Sequence, residues 1–554
     1  MKEKKWTRRQ VLGSLAMVPL AANAVVSPFS KTHITSAPSV KVGNAKKIKC
    51  KLLNAEGKPF EVSKMDRFHI CDLLNRPFQL SPEFSEGEIT FLPEETSFRI
   101  SLPVEVPGFG IVFLYADNGG EGYSAKSLEK IDVLFLNVEF ASDRLTTIKK
   151  KLNECKKLGI QPSTEFIKRF DAAEQYFNKC NDSKSDNNGI AKWSMESLRE
   201  SLYAGEMIVF EKARHLIADR GKREGFLFGC NAFEFRDYGS TYTKLFESLF
   251  NFATLPFYMS GVQKLEGQLD YSRVDSIIKT LENTQIITKG HPLIFLTPNS
   301  LKPDWLKTKS FEELKKVCLD YIHASIIKHR GRIHIWDVIN EAHVQPDTQY
   351  GEGSIKGYTK EQAVELSCAA AKAAREADPT CFRIVNNTGT WADYYMGHKP
   401  AQWQQNAYDY LQKLQDADCE YEAIGLQYYH SGRDLLEFER DVERFSDFKK
   451  PIHITELQIP SSSVEYDGAD WWGGGSGGSH FPWHGTEFTE TIQADWIESV
   501  YTMLYSKPYV DAITYWDMSD PAFVPHGGMV NQDLTPKESY YRLKALLDQW
   551  KKNG

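Results

Sequence analysis

From residue 225 to residue 520 the chain repeats one pattern eight times, a short apolar run followed by a longer stretch of helical period. The runs are GFLFGCNAF (225–233), LFNFATLPF (249–257), QIITKGHPLIFL (285–296), RIHIWDVINEA (332–342), CFRIVNNTG (381–389), YEAIGLQYY (421–429), PIHITELQI (451–459) and VDAITYWDMSD (510–520). Helical patterns such as DYSRVDSIIKTLEN, FEELKKVCLDYIHASIIKH and TIQADWIESVYTMLY lie between them, and ESYYRLKALLDQWKK closes the chain. Alternation of this kind implies parallel strands joined by helical crossovers. Several runs are too uniformly apolar for a sheet with one wet face. Eight such units are what a (β/α)8 TIM barrel requires. An open, doubly wound sheet is the competing arrangement, but no Gly-rich phosphate loop follows the first run.

The residues before the barrel divide by rhythm. Residues 45–140 hold short alternating runs, KIKCKLL, RFHICDLL, EITFLP, FRISLPVEV and IVFLYAD, broken by Gly and Pro. They predict a small β-sandwich-like module, which either binds sugar or buttresses its neighbour. Residues 141–223 carry helical periods interrupted by NDSKSDNNG and predict a helical connector. Residues 25–44, rich in Ser, Ala, Thr and Lys, read as a linker. Residues 1–24 combine a basic start, the pair Arg8 and Arg9, an apolar stretch to Ala22 and the small-residue exit at Ala24. That is the pattern of a twin-arginine signal peptide, giving an exported, periplasmic or extracellular product. A membrane anchor is the alternative, but the apolar run is shorter than the roughly 20 residues that span a bilayer. No membrane span is expected in the mature chain, and residues 224–554 form the barrel domain.

A net charge of −7 leaves no basic field to condense on a polyanion, so a neutral partner fits better than nucleic acid. Nine cysteines are scattered without a CxxC pair and read as core fillers. No metal site is expected, since His480 and His484 lack partners in a ligand array. No cofactor is implied.

Active sites of such barrels lie at the C-terminal ends of the strands, so polar residues that finish an apolar run are the candidates. Glu341 ends the fourth run and Glu456 occupies the matching place in the seventh. A lone Glu there is often a salt-bridge partner or a helix cap. Two at opposed strand tips suit glycosidic cleavage, which needs one group to protonate the leaving oxygen and another to meet the positive anomeric carbon.

Four segments then carry a resemblance. KGHPLIF, WDVINEA, ITELQI and ITYWDMSD resemble the RGHxLVW, WDVVNEA, ITELDI and VTxWGxxD segments of glycoside hydrolase family 10, the retaining xylanase family, in the same order. The resemblance implies Glu341 as general acid/base and Glu456 as nucleophile. It also implies Asn340 bonding a sugar 2-hydroxyl, and His291 and Gln427 lining the substrate site. Trp516 would be the stacking floor, with core packing as its alternative role.

The departures are specific. Where the family has TxENxMKW, whose polar and aromatic side chains hold the glycone, this chain has TLPFYMSG, with Pro256, Phe257, Ser260 and Gly261. The third-strand Trp is Phe295. Where the family has QxH and TELD, this chain has GLQYYH and TELQ, placing Tyr429 at the His position and Gln458 at the Asp position. Tyr429 is therefore expected to donate to Glu456, with His430 as the other candidate. The long segment after the seventh run carries Trp471, Trp472 and Trp483 among glycines. Burial and mutual repulsion are expected to raise the Glu341 pKa so that it is protonated near neutral pH with Glu456 ionised. The whole reads as an exported retaining glycoside hydrolase of β-linked polysaccharide or oligosaccharide. The alternative is a non-catalytic carbohydrate-binding protein on the same barrel.

Overall fold

The computed structural model describes residues 47–552 apart from 66, 77, 79–81, 94–96, 130, 184–185, 297–302, 345–357, 392–404, 464–480 and 486. The signal segment, the linker, Trp471, Trp472 and His480 lie outside the described residues.

The N-terminal part carries strands β1 (Ile48–Lys51), β2 (His69–Cys71), β3 (Glu83–Ser85), β4 (Glu88–Phe91), β5 (Arg99–Val106), β6 (Gly110–Ala116) and β7 (Leu134–Phe135). They form two sheets, ordered β3-β4-β1-β7 and β2-β5-β6. Strand β3 is exposed throughout, so it had no apolar alternation to betray it. Three helices follow, α1 (Leu136–Lys157), α2 (Thr164–Asp182) and α3 (Asn187–Arg220). The sheets do not close their core alone. Leu136 and Phe140 of α1 and Met195, Leu198 and Leu202 of α3 complete it, which fuses module and connector into one packing unit.

The barrel is closed by eight strands: β8 (Leu227–Asn231), β9 (Phe252–Pro256), β10 (Ile287–His291), β11 (Ile335–Asn340), β12 (Phe382–Asn387), β13 (Ala423–Tyr429), β14 (Ile452–Gln458) and β15 (Val510–Tyr515). Every neighbouring pair is parallel, and β15 pairs with β8 to complete the ring. The crossover helices start where the sequence supplies caps. Ser310 and Glu313 make a reciprocal box ahead of Phe311–His329, and Thr359 with Gln362 does the same ahead of Lys360–Ala377. Two crossover helices escaped the periodicity. Phe235–Leu249 is interrupted by the positive φ of Gly239, and Ala407–Asp416 is only 10 residues long.

Alternate residues on each strand face the axis, and they grade from apolar to charged. At the N-terminal end Leu227, Phe252, Ile287, Ile335, Ile384, Ala423 and Ala512 form a separate apolar floor. Two residues farther along β10 and β11 come Lys289 and Asp337, an ion pair at 2.7 Å with no exposure. Two more along β10 comes His291. The interior is thus dry beneath and polar at the rim, as a site that must exclude water requires. All nine cysteines are free, and all but Cys368 are buried.

Close packing of Trp336 explains Gly290. A Cβ at that position would lie 2.2 Å from Trp336 Cζ3 and 3.2 Å from the Phe257 ring. Both neighbours are fully buried and cannot yield. Gly290→Ala is expected to cost about 1–3 kcal/mol of stability by overpacking, read as a lower denaturation midpoint. An unchanged midpoint would contradict this packing.

Candidate active site

The residue after β11 is Glu341, and its backbone sits at φ 54, a left-handed conformation unusual for a side-chain-bearing residue. Its N–H bonds the Asn386 carbonyl at 2.9 Å, which holds the strained residue in place. Glu456 lies on β14 and is buried. Strands β12 and β13 stand between these two carboxylates, and each contributes an amide to the network around them. Gln427 Nε2 donates to Glu341 Oε1 at 2.9 Å and to Asn340 Oδ1 at 3.2 Å. Asn386 Nδ2 donates to Asn340 Oδ1 at 2.6 Å and to Glu456 Oε1 at 3.2 Å. Asn340 Nδ2 completes the chain to Glu341 Oε1 at 3.2 Å. The Asn386 amide is fixed from behind by the Thr455 hydroxyl, which donates to its Oδ1 at 2.5 Å. Gly425 leaves it room, since a Cβ there would lie 2.6 Å from Asn386 Oδ1.

Glu456 has a second donor. Tyr429 Oη donates to Glu456 Oε2 at 2.5 Å. His430, the other candidate, turns away and donates through Nε2 to the Phe481 carbonyl at 2.8 Å. His291 is close but differently employed. Its Nδ1 lies 2.6 Å from Asp337 Oδ2. Burial opposes the charge of Asp337, but Lys289 and His291 beside it hold it below the usual carboxylate range. Asp337 is therefore an acceptor, so Nδ1 carries the imidazole hydrogen and Nε2 a lone pair. Burial lowers the His291 pKa and keeps the ring neutral. Tyr258 Oη lies 3.3 Å from that Nε2 and is the donor to it, while Glu456 Oε1 is 3.9 Å away. Glu456 thus takes its hydrogen bonds from Tyr429 and Asn386 rather than from the histidine.

Aromatic rings wall the pair. Trp516 meets His291 edge-on with centroids 5.2 Å apart and Phe233 at 5.7 Å. Phe295 stands 6.3 Å from Tyr258. In the departing segment Phe257 turns into the core against Trp336, and Gly261 has nothing within 4 Å of where a Cβ would be.

Burial raises the Glu341 pKa to about 7, with Gln427 and Asn340 pulling against it. Glu456 is raised as well, by burial first and then by the charge of Glu341, while Tyr429 and Lys289 act downward. The expected division, Glu341 protonated and Glu456 ionised, is therefore not imposed by the unliganded site. Both carboxyls are raised and each disfavours the other's charge, so the pair titrates as a coupled unit.

All seven residues singled out from the sequence, Asn340, Glu341, Glu456, His291, Gln427, Tyr429 and Trp516, converge on this rim. Reading by sequence missed Lys289, Asp337, Asn386, Thr455 and Tyr258. Asn386 carried a usable signal, since the amides of IVNN end an apolar run as Asn340 does. Lys289 and Asp337 are lone charges inside buried strands, also a signal. Tyr258 had none. Of the segment after β14, Trp483 and His484 are not at the pair; His484 bonds Glu206 at 2.6 Å. Among the described residues no group of three His, Cys, Asp or Glu side chains is placed to hold a metal ion, and no helix is long and apolar enough to cross a membrane.

Tyr429 stabilises ionised Glu456, so Tyr429→Phe must raise the Glu456 pKa further. If the acid limb of the pH–activity profile reports that ionisation, it moves to higher pH. A hydrogen bond to a charged group is worth about 1.5–3 kcal/mol, or roughly one to two pH units. An acid limb unmoved in Tyr429→Phe would contradict the assignment.

Residues 216–545 match the profile described as glycosyl hydrolase family 10. Endo-1,4-beta-xylanase B of Thermotoga neapolitana is 23% identical over 339 residues, covering 59% of this chain and 88% of that protein. An endo-1,4-beta-xylanase/feruloyl esterase of Xylanibacter ruminicola is 25% identical over 274 residues, but those span 46% of this chain and 35% of the relative. Among solved structures, xylanase 10B from Thermotoga petrophila RKU-1 in complex with xylobiose has a TM-score of 0.45 at 21% identity, covering 62% of this chain and 97% of the other. With a profile match across more than half of its length, this chain belongs to glycosyl hydrolase family 10 and is a glycoside hydrolase acting on O-glycosyl bonds.

Proposed function

We propose that this protein is an exported retaining hydrolase of β-linked polysaccharide or its oligosaccharides, xylanase-like in its linkage preference, with Glu456 as nucleophile and Glu341 as acid/base. The observation that carries the reading is the pair of carboxyls on one rim, Glu456 buried and Glu341 half-buried, tied together through Asn340 and Asn386. In the first step a Glu456 oxygen attacks the anomeric carbon while the glycosidic bond breaks, and the proton on Glu341 passes to the leaving oxygen. In the second, Glu341 takes a proton from water, the water oxygen displaces Glu456, and the configuration is restored. The coupling of the two carboxyls supports these roles. Positive charge growing at the anomeric carbon favours ionised Glu456, which leaves the proton on Glu341. Asn340, bonded to Glu341 and joined to Glu456 through Asn386, would read the neighbouring hydroxyl.

The xylanase part is supported by the relatives' names. The glycone side differs, because the positions that hold polar and stacking groups in the family carry Pro256, Phe257, Ser260 and Gly261. Fewer contacts there weaken the ground-state grip on plain xylan. Export rests on residues 1–24.

Removing the acid separates substrates by leaving group. Glu341→Ala is expected to lose roughly 10²–10⁴-fold on unactivated oligosaccharides, to keep most of its first-step rate on a dinitrophenyl glycoside, and to lose the basic limb of its pH profile. Glu456→Ala should lose both substrates. Equal losses for both substrates in Glu341→Ala would contradict its role. A wild-type protein that retains polysaccharide without releasing reducing ends would favour a binding-only barrel. Mature protein outside the cytoplasm should begin at Val25; a chain that stays inside with Met1 attached would contradict export.

A further inference from the structure

The N-terminal part touches the barrel where the segments following β13 and β14 leave the rim. Tyr429 ends β13, and three residues on, the Gly432 carbonyl accepts a hydrogen bond from the Phe113 N–H of β6 at 2.9 Å. The next residue, Arg433, lays its guanidinium 3.7 Å from the centroid of the Phe113 ring. After β14, Gly485 donates its N–H to the Phe109 carbonyl at 2.8 Å, and His484, at φ 63, packs edge-on against Phe109 at 4.7 Å.

One carboxylate joins the two segments. Glu206 on α3 is buried, and its Oε1 accepts from the Leu435 N–H at 3.1 Å and from Trp483 Nε1 at 2.9 Å. Its Oε2 meets His484 Nε2 at 2.6 Å. Leu435 opens the helix Leu435–Phe445, so its N–H has no partner inside that helix, and an anion at a helix N-terminus is favoured. The charged groups around Glu206 are His484, Asp434 and the Arg144 paired with Asp434. A second tie between the segments is the bond from His430, adjacent to Tyr429, to the Phe481 carbonyl.

We infer that Glu206 is a positioning residue for the reaction: from outside the barrel it fixes the segments that follow β13 and β14, and through them the hydrogen bond from Tyr429 to Glu456. The N-terminal part is then a working component of the active site rather than a detachable sugar-binding module. The inference rests on the proposed roles of Tyr429 and Glu456.

A double-mutant cycle on the full chain tests it, with kcat and KM measured on the aryl glycoside hydrolysed fastest. Glu206→Ala and Tyr429→Phe should each lower kcat/KM about tenfold, the value of one hydrogen bond, chiefly in kcat. Both should move the acid limb upward. The double variant should fall no more than about twofold below the weaker single variant, within ordinary additivity error. Glu206→Gln, which keeps an acceptor for Leu435 and Trp483, should restore most of the rate. Additive losses, or a Glu206→Ala enzyme with unaltered rate and profile, would overturn the inference. Should circular dichroism show Glu206→Ala unfolded, Trp483→Phe, which removes the indole donor to Glu206 together with part of the ring, replaces it under the same criteria. A Glu456→Ala protein that stays active would refute the underlying roles, whereas an inactive one with an additive cycle would refute the inference alone.

Discussion

Two carboxyl groups held on one rim, largely out of water, cannot both be charged cheaply, and the rim of this barrel is organised around that repulsion. Burial raises Glu341 and Glu456 alike, and Glu341 raises Glu456 further. The answer is a chain of amides rather than a cation. Asn340, Asn386 and Gln427 connect the pair, and each is held by a neighbour or by the carboxylates themselves. Amides donate without adding charge, so one proton can be shared over the pair and reassigned when a substrate brings its own developing charge.

Cationic charge is kept one layer lower. Lys289 is spent on Asp337, and Asp337 in turn sets the tautomer of His291. The histidine's free nitrogen is an acceptor, turned to the Tyr258 hydroxyl, so the ring that the family resemblance placed at the sugar does not donate to Glu456 here. Tyr429 supplies that bond instead. A phenol raised well above its ordinary pKa by burial stays a donor across the whole working range, where an imidazole would titrate.

The barrel was legible because eight apolar runs alternate with helices, and its rim was legible because polar side chains end apolar strands at Asn340, Glu341 and Glu456. Tyr429 was legible through the paired loss of His and Asp at its position and at Gln458. What stayed hidden depends on tertiary placement. No local pattern says that Tyr258 reaches His291, that β3 pairs with β4 while wholly exposed, or that Glu206 lies buried against Trp483 and Leu435.

The central claim is that Glu456 becomes covalently glycosylated. A 2-fluoro analogue of the aryl glycoside hydrolysed fastest slows both steps, and a good leaving group lets the first outrun the second. The account predicts that the peptide containing ITELQ gains the mass of one fluorinated glycosyl unit on Glu456. An adduct on another residue, or turnover of the parent glycoside with inverted configuration, would contradict it.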